Sequence, residues 1–279
     1  MITKNSESKP VNYWDNMAER YFSLLPPLVP SPMDIELFKN PIRGLLKEDA
    51  NPRVVVLGST PAFYDIFWPE KSEIMAVDRS ADMLKAIWPG GLKQALHADW
   101  TDLTLESGPR DIALCDGGLS FVDSQSQLRT LANSLSNVLT QGGVFVVRLY
   151  VRGEVKVSVD EVVVNFLAGK IANSSELKLC LWIAMDWKSK DGVNLHNVWE
   201  TLLNKVPKFS AVCNSLGWTQ KEIAMMEAYN NMHEVYYFPD IDTVTAAFCD
   251  NSYGFEKLSV QYANCNYSEN LPIVTFRRT

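Results

Sequence analysis

Apolar residues run unbroken at 54–57 and 74–77 and nearly so at 111–115 and 144–151, in short stretches rich in valine and isoleucine. Strands buried on both faces read this way, and such strands belong to parallel sheets covered by helices. Between them the spacing changes to three and four residues. It predicts a helix over 80–88, opened by Ser80, and a long amphipathic helix over 124–140, with Gly142-Gly143 expected to stop it. A weaker strand, 95–98, precedes Asp99. Strands alternating with helices predict βαβ units and right-handed crossovers.

The flanks differ. Residues 1–10 are polar and read as disordered, and 13–25 carry Tyr13, Trp14, Met17, Tyr21, Phe22 and Leu25 at helical spacing. Ser31-Pro32, with Glu36 beyond, predicts a helix start, and Pro41 its end. Residues 152–235 show helical patterns, clearest at 177–187, 195–204 and on both sides of Gly217, with no convincing strand past about 164. A short strand follows at 235–238. A helix over 240–249 carries Asp240 and Asp242 in its first turn, and "YGFEKLSVQYAN" and "LPIVTFRRT" read as two closing strands.

Composition narrows the classes of function. Of 279 residues, 47% are hydrophobic and 21% charged, enough for a sizeable core. A formal net charge of -7 argues against nucleic acid as partner. No apolar run approaches the roughly 18 residues of a membrane span, and the polar start lacks a signal segment, so a cytoplasmic protein without membrane attachment is expected. Five cysteines without a CxxC pair read as reduced thiols, and no metal is expected. Neither a G-x-x-x-x-G-K-[ST] loop nor a G-x-S-x-G elbow occurs, which argues against phosphoryl-transfer and hydrolase chemistry of those kinds.

In an open α/β sheet, ligands bind beyond the carboxyl ends of the strands. Here the first four strands lead to Gly58, Asp78, Asp99 and Asp116. A glycine after the first strand lets backbone approach a ligand. A carboxylate ending the second accepts hydrogen bonds from both hydroxyls of a ribose. A polar side chain after the third can hold an adenine amino group.

With "VVVLGSTPAF", "IMAVDRSADML", "ALHADWTDL", "DIALCDGGLSFVD" and "QGGVFVVRLYV" in that order, the chain resembles class I S-adenosylmethionine-dependent methyltransferases over about 53–151 and 235–279. The resemblance implies a Rossmann-like α/β fold: a seven-stranded, mostly parallel sheet with helices on both faces, an antiparallel last strand and a helical insertion after the fifth. It divides the chain into a core (51–151 and 235–279), an N-terminal segment (1–50) over the cofactor, and a substrate lid (152–234). It implies S-adenosylmethionine as cofactor, with Gly58, Ser59, Thr60, Asp78, Arg79, Met83, Asp99, Trp100, Asp116 and Gly117 around it and Tyr21 above.

The family's first turn usually carries two or three glycines; this one has Gly58 followed by Ser59, Thr60 and Pro61. The two hydroxyls can serve a methionine carboxylate, and Pro61 can open a helix. The same turn lacks the G-x-G-x-x-G backbone that a dinucleotide pyrophosphate needs. Some residues read two ways. Trp100 fits a core aromatic as well as an adenine neighbour, and the Asp116-Gly117-Gly118 run fits a plain turn. His97 reads as structural; His196 and His233, in the insertion, are the candidates for a general base. The expected activity is methyl transfer to a small molecule. The alternative is a methyltransferase-fold protein that transfers nothing and serves as a binding or regulatory subunit.

Overall fold

A computed structural model describes residues 17, 18, 20–189 and 191–279. The disordered stretch expected at 1–10, and Tyr13 and Trp14, lie outside the described residues. The central sheet has seven strands: β1 (Arg53–Leu57), β2 (Glu73–Asp78), β3 (Ala95–His97), β4 (Arg110–Asp116), β5 (Leu139–Arg148), β8 (Phe255–Gln261) and β9 (Ile273–Arg278). Their order is β3-β2-β1-β4-β5-β9-β8. The first five are mutually parallel, and β9 runs antiparallel between β5 and β8.

The register explains the unbroken apolar runs. Val54 pairs with Ile74 and Ile112, and Val55 with Met75 and Ala113, so β1 is interior. Successive side chains point to opposite faces. Val55 and Leu57 join Ala113, Phe145 and Phe276 on one face, under α4 (Gln125–Val138) and α10 (Ile241–Phe248). Val54 and Val56 join Ile112, Leu114 and Val146 on the other, under Phe38 of α1 (Pro32–Lys39), Phe63 of α2 (Pro61–Tyr64) and Leu84 of α3 (Ala81–Ile87). Both faces are covered, so alternation has no polar side to show.

Several local expectations are corrected. The long helix ends at Val138, and Leu139 begins β5 directly. Gly142-Gly143 therefore lies inside a strand. Gly142 takes φ 81°, and a side chain on Gly143 would come within 2.8 Å of the Thr140 carbonyl, so the pair bends β5 where the β4–β5 register shifts. In α1 the acid that closes the cap is Asp34, not Glu36: Asp34 N–H donates to Ser31 Oγ, and Ser31 N–H donates to Asp34 Oδ2 at 2.8 Å. Pro41 does mark the end of α1, which stops at Lys39; the chain continues in a 3-10 segment, Asn40–Leu46.

The insertion holds α5 (Val159–Leu167), α6 (Ser174–Ser189), α7 (Leu195–Lys205), α8 (Phe209–Ser215) and α9 (Gln220–Glu227). It has its own core, with Phe166, Trp182, Phe209 and Trp218. The valine run of α5 would suit a strand; the Ser158–Glu161 capping box fixes it as a helix. A two-residue ladder, β6 (Val193–Asn194) against β7 (Val235–Tyr236), joins the two ends of the α7–α9 segment.

Candidate functional site

A cleft of about 330 Å³ opens beyond the carboxyl ends of β1, β2 and β4. Its floor is the turn after β1. Gly58 has φ 97°, a conformation that suits glycine, and donates its N–H to the Val77 carbonyl at 2.8 Å. The turn is thus stitched to β2. Ser59 and Thr60 follow, both buried, and the Thr60 side chain hydrogen-bonds to Tyr21, which reaches over the cleft. Burial and the Asp116 charge push the Tyr21 phenol well above its ordinary value.

Asp78 ends β2 and is 7% exposed. Its Oδ2 accepts from Ser59 Oγ at 3.0 Å and its Oδ1 from Ser80 N–H at 2.9 Å. These contacts fix the carboxylate plane and leave further lone pairs. Burial raises its pKa, against the opposing pull of the Ser80 and Ser59 hydrogen bonds. Ser80 also caps α3 through Met83 N–H, which sets Met83 on the cleft wall beside Arg79.

Trp100 stands in the 3-10 turn after β3 and is half-buried. Its Nε1–H donates to the Val77 carbonyl at 2.7 Å. The ring lies under two glycines: a side chain on Gly58 would sit 3.6 Å from it, and one on Gly118 would collide at 2.8 Å. Asp99 is spent in part on its own turn, accepting from the Thr101 N–H and hydroxyl through Oδ1.

Asp116 lies in the same cleft but its carboxylate is already engaged. Arg148, fully buried at the end of β5, holds it through Nε at 2.5 Å and Nη2 at 3.2 Å and reaches Asp34 of α1 at 3.0 Å. Burial works against the guanidinium charge, but Asp116, Tyr150 and Asp34 outweigh it and hold Arg148 protonated. Burial draws the Asp116 carboxyl upward, opposed by Arg148.

Ten of the residues expected at a cofactor therefore line one cleft: Tyr21, Gly58, Ser59, Thr60, Asp78, Arg79, Met83, Asp99, Trp100 and Asp116. Gly117 does not line it. Gly117 has φ 64° and faces the Tyr150 ring, 2.8 Å from where a side chain would start; its neighbour Gly118 lines the cleft instead. His196 and His233 are not at the cleft. Their rings face each other at 5.1 Å in the insertion, and His196 Nδ1 lies 2.6 Å from the Asn230 carbonyl. His97 is exposed at the sheet edge, its Nε2 3.0 Å from the Arg79 carbonyl. Among the described residues no group of three His, Cys, Asp or Glu is placed to hold a metal ion.

The sequence reading did not single out the far wall. Phe121 and Val122 follow β4, and Gln127, Thr130 and Leu131 come from the first turns of α4. Positions 127, 130 and 131 share one helix face, and that spacing was the only sign of it.

The residues fit a nucleoside. A buried, oriented acceptor stands at one strand end, a glycine lets backbone approach at the next, and an indole kept close by two glycines offers an apolar edge between them.

No protein-family model matches the chain, and no curated protein matches it in sequence. Solved structures do match in fold. An S-adenosylmethionine-dependent methyltransferase from Clostridium acetobutylicum aligns with 96% of this chain and 99% of its own, at 12% identity and TM-score 0.53. A protein from Rhodobacter sphaeroides, provisionally named a Zn-dependent alcohol dehydrogenase, aligns over 95% and 96%, at 12% identity and TM-score 0.60. At such identities the likeness is one of fold. The chain has the Rossmann-like class I methyltransferase fold, with the antiparallel strand β9 inserted beside β5.

Proposed function

We propose that the chain is an S-adenosylmethionine-dependent methyltransferase acting on a small molecule, with residues 152–234 as the substrate lid. The observation that carries this reading is Asp78. It is buried, held in one orientation by Ser59 and Ser80, and set at the end of β2 beside the single-glycine turn. Such a carboxylate pairs with the two hydroxyls of a ribose. Asp99 and Trp100 then flank the adenine, and Tyr21 and Thr60 stand at the methionine end.

When bound, S-adenosylmethionine supplies an activated methyl group on a sulfonium. The protein's own part is alignment and exclusion of water, and a base is required only where the acceptor must lose a proton. A dinucleotide fits less well, because Gly58-Ser59-Thr60-Pro61 offers no glycine-rich cradle for a pyrophosphate. The -7 net charge favours a small acceptor over a nucleic acid. A cytoplasmic setting suits the five free thiols; no described helix is long and apolar enough to cross a membrane.

One observation favours a second reading, a fold relative that transfers no methyl. Ser59 donates its hydroxyl to Asp78, so that hydroxyl is not available as a donor to a methionine carboxylate. Calorimetric titration with S-adenosylmethionine and S-adenosylhomocysteine separates the two. Micromolar binding, lost in Asp78→Ala, supports the methyltransferase. No heat and no thermal shift at millimolar ligand leaves the cofactor-free relative.

A further inference from the structure

A second cavity, of about 250 Å³, lies between the insertion and the connection from β8 to β9. It shares no lining residue with the cofactor cleft. Helix α6 stands between the two. Trp182, on one side of that helix, meets Tyr236 at 4.8 Å, and Tyr236 meets Phe121 of the cleft wall at 4.7 Å. Cys180 is two residues away, so it points to nearly the opposite side, and it lines the second cavity.

Hydrogen bonds fix the cavity's shape. Asn270, 5% exposed, donates its Nδ2–H to the Val151 carbonyl at 3.1 Å, and Val151 N–H donates back to the Asn270 carbonyl at 2.9 Å. This exchange fastens the β8–β9 connection to the chain leaving β5. Tyr267 takes φ 62°, a left-handed conformation unfavourable for a tyrosine. It is held there by its hydroxyl, which donates to Glu176 Oε1 at 2.7 Å, and by its carbonyl, which accepts from Asn270 N–H at 2.9 Å. Tyr267 and Asn270 both line the cavity. Strain of this kind persists where the surroundings over-determine it, and it gathers at ligand sites.

The lining sets the chemistry of an occupant. The body of the cavity is aliphatic: Val157, Val162, Ile171 and Ile183. Burial pushes the Cys180 thiol up to about 11, so it joins these walls as a neutral, weakly polar group. Charge enters only with Lys170, which follows α5, and Glu269, which precedes β9; both are exposed, at the rim. A ligand bearing one sign of charge meets one attraction and one repulsion there, whereas a zwitterion meets both charges with the right sign. The volume falls below the roughly 300–1,000 Å³ of drug-sized sites, so the ligand is small.

We propose that this cavity binds a small aliphatic α-amino acid, its carboxylate toward Lys170, its ammonium toward Glu269 and its side chain among the valines and isoleucines. The site is separate from the cofactor cleft, and its occupancy does not depend on the methyltransferase reading.

The test is a thermal-shift series on the full chain with leucine, isoleucine and valine. Three controls accompany them: leucinamide, which lacks the carboxylate, N-acetylleucine, which lacks the ammonium, and glycine, which lacks the aliphatic body. The series is repeated on Lys170→Gln and Glu269→Gln, with S-adenosylhomocysteine as a separate ligand throughout. At least one of the three amino acids is expected to raise Tm, by about 5 °C at 100 times its Kd. Glycine should give no shift, and the two leucine derivatives a smaller one than leucine at equal concentration. Each rim variant should bind the amino acid about fivefold more weakly. Both substituted side chains are exposed, so both variants are expected to fold and to respond to S-adenosylhomocysteine as the wild type does. The inference is overturned if no amino acid of the series shifts the wild type, if both derivatives act as leucine does, or if both variants keep wild-type affinity. Failure of S-adenosylhomocysteine alone, with the amino acid still acting through Lys170 and Glu269, sinks the methyltransferase reading and leaves this site standing.

Discussion

Trp100 donates its indole N–H to the carbonyl of Val77 at 2.7 Å, and that carbonyl also takes the N–H of Gly58 at 2.8 Å. One oxygen therefore joins the turn after β1, the end of β2 and the turn after β3. Trp100→Phe removes one donor but leaves the carbonyl bonded to Gly58. The expected loss is about 1 kcal/mol, read from urea unfolding. Trp100→Ala also empties the space beneath two glycines; about 3 kcal/mol is expected, with nucleoside affinity falling in parallel.

Gly118→Ala and Gly58→Ala should fail differently. A side chain on Gly118 would meet Cys115 Sγ at 2.7 Å and the Trp100 ring at 2.8 Å, so it overpacks the site. The expected cost is about 1–3 kcal/mol, with weakened S-adenosylhomocysteine binding as the indole shifts. Gly58→Ala has room, its nearest contact being Trp100 at 3.6 Å, but φ 97° strains it. About 1–2 kcal/mol is expected from strain alone. Chemical unfolding with calorimetric titration on both variants distinguishes steric from conformational cost.

Asp78 gives a pH dependence of known sign. Burial raises its carboxyl pKa, so the folded state holds this proton to a higher pH than the unfolded chain does. Between the unfolded value, about 3.9, and the raised folded one, the native state binds more protons, and this group's contribution to stability falls as pH rises. Asp78→Asn should therefore gain on the wild type across that interval in unfolding measured against pH. Ribose recognition requires the ionised form. S-adenosylhomocysteine affinity should accordingly strengthen as pH rises through the same interval and then level off; a flat titration contradicts the assignment.

Arg148 ties α1 to the sheet through Asp34 and Asp116. Arg148→Met leaves two buried carboxyl groups without their cation, and a loss of about 3–5 kcal/mol at neutral pH is expected. Without the guanidinium, burial acts unopposed on Asp116, so the deficit should shrink on acidification. Unfolding midpoints at neutral and mildly acidic pH check both statements.

The alternation of strands and helices was legible because four of the five parallel strands are interior with apolar middles; β3, at the edge, gave the weaker signal. So was the clustering of Gly58, Asp78, Asp99 and Trp100, since a parallel sheet brings successive carboxyl ends to one edge. Contacts made at long sequence separation were not legible. Asp116 lines the cleft as expected, but its pairing with Arg148, 32 residues later, could not be read from the sequence. Gly142-Gly143 carries the signature of a helix stop, yet β5 absorbs it as a bend because pairing to β4 resumes at Val144. The Ser31 cap closes on Asp34 rather than Glu36 because only the third helical position reaches back to the cap. Gly117 and Gly118 are adjacent in sequence, and only packing tells which faces the cleft.

The place of β9 has a consequence for the order in which the chain is made. Its residues, 273–278, leave the ribosome after every other strand of the sheet, yet they lie between β5 and β8. Until they emerge, the outer edge of β5 stays open, with Phe145 and Val147 still to be enclosed. The parallel part can form first, but the sheet is completed only once β8 and β9 have followed it. In that interval β5 is the edge on which a nascent chain is most exposed to pairing with its neighbours.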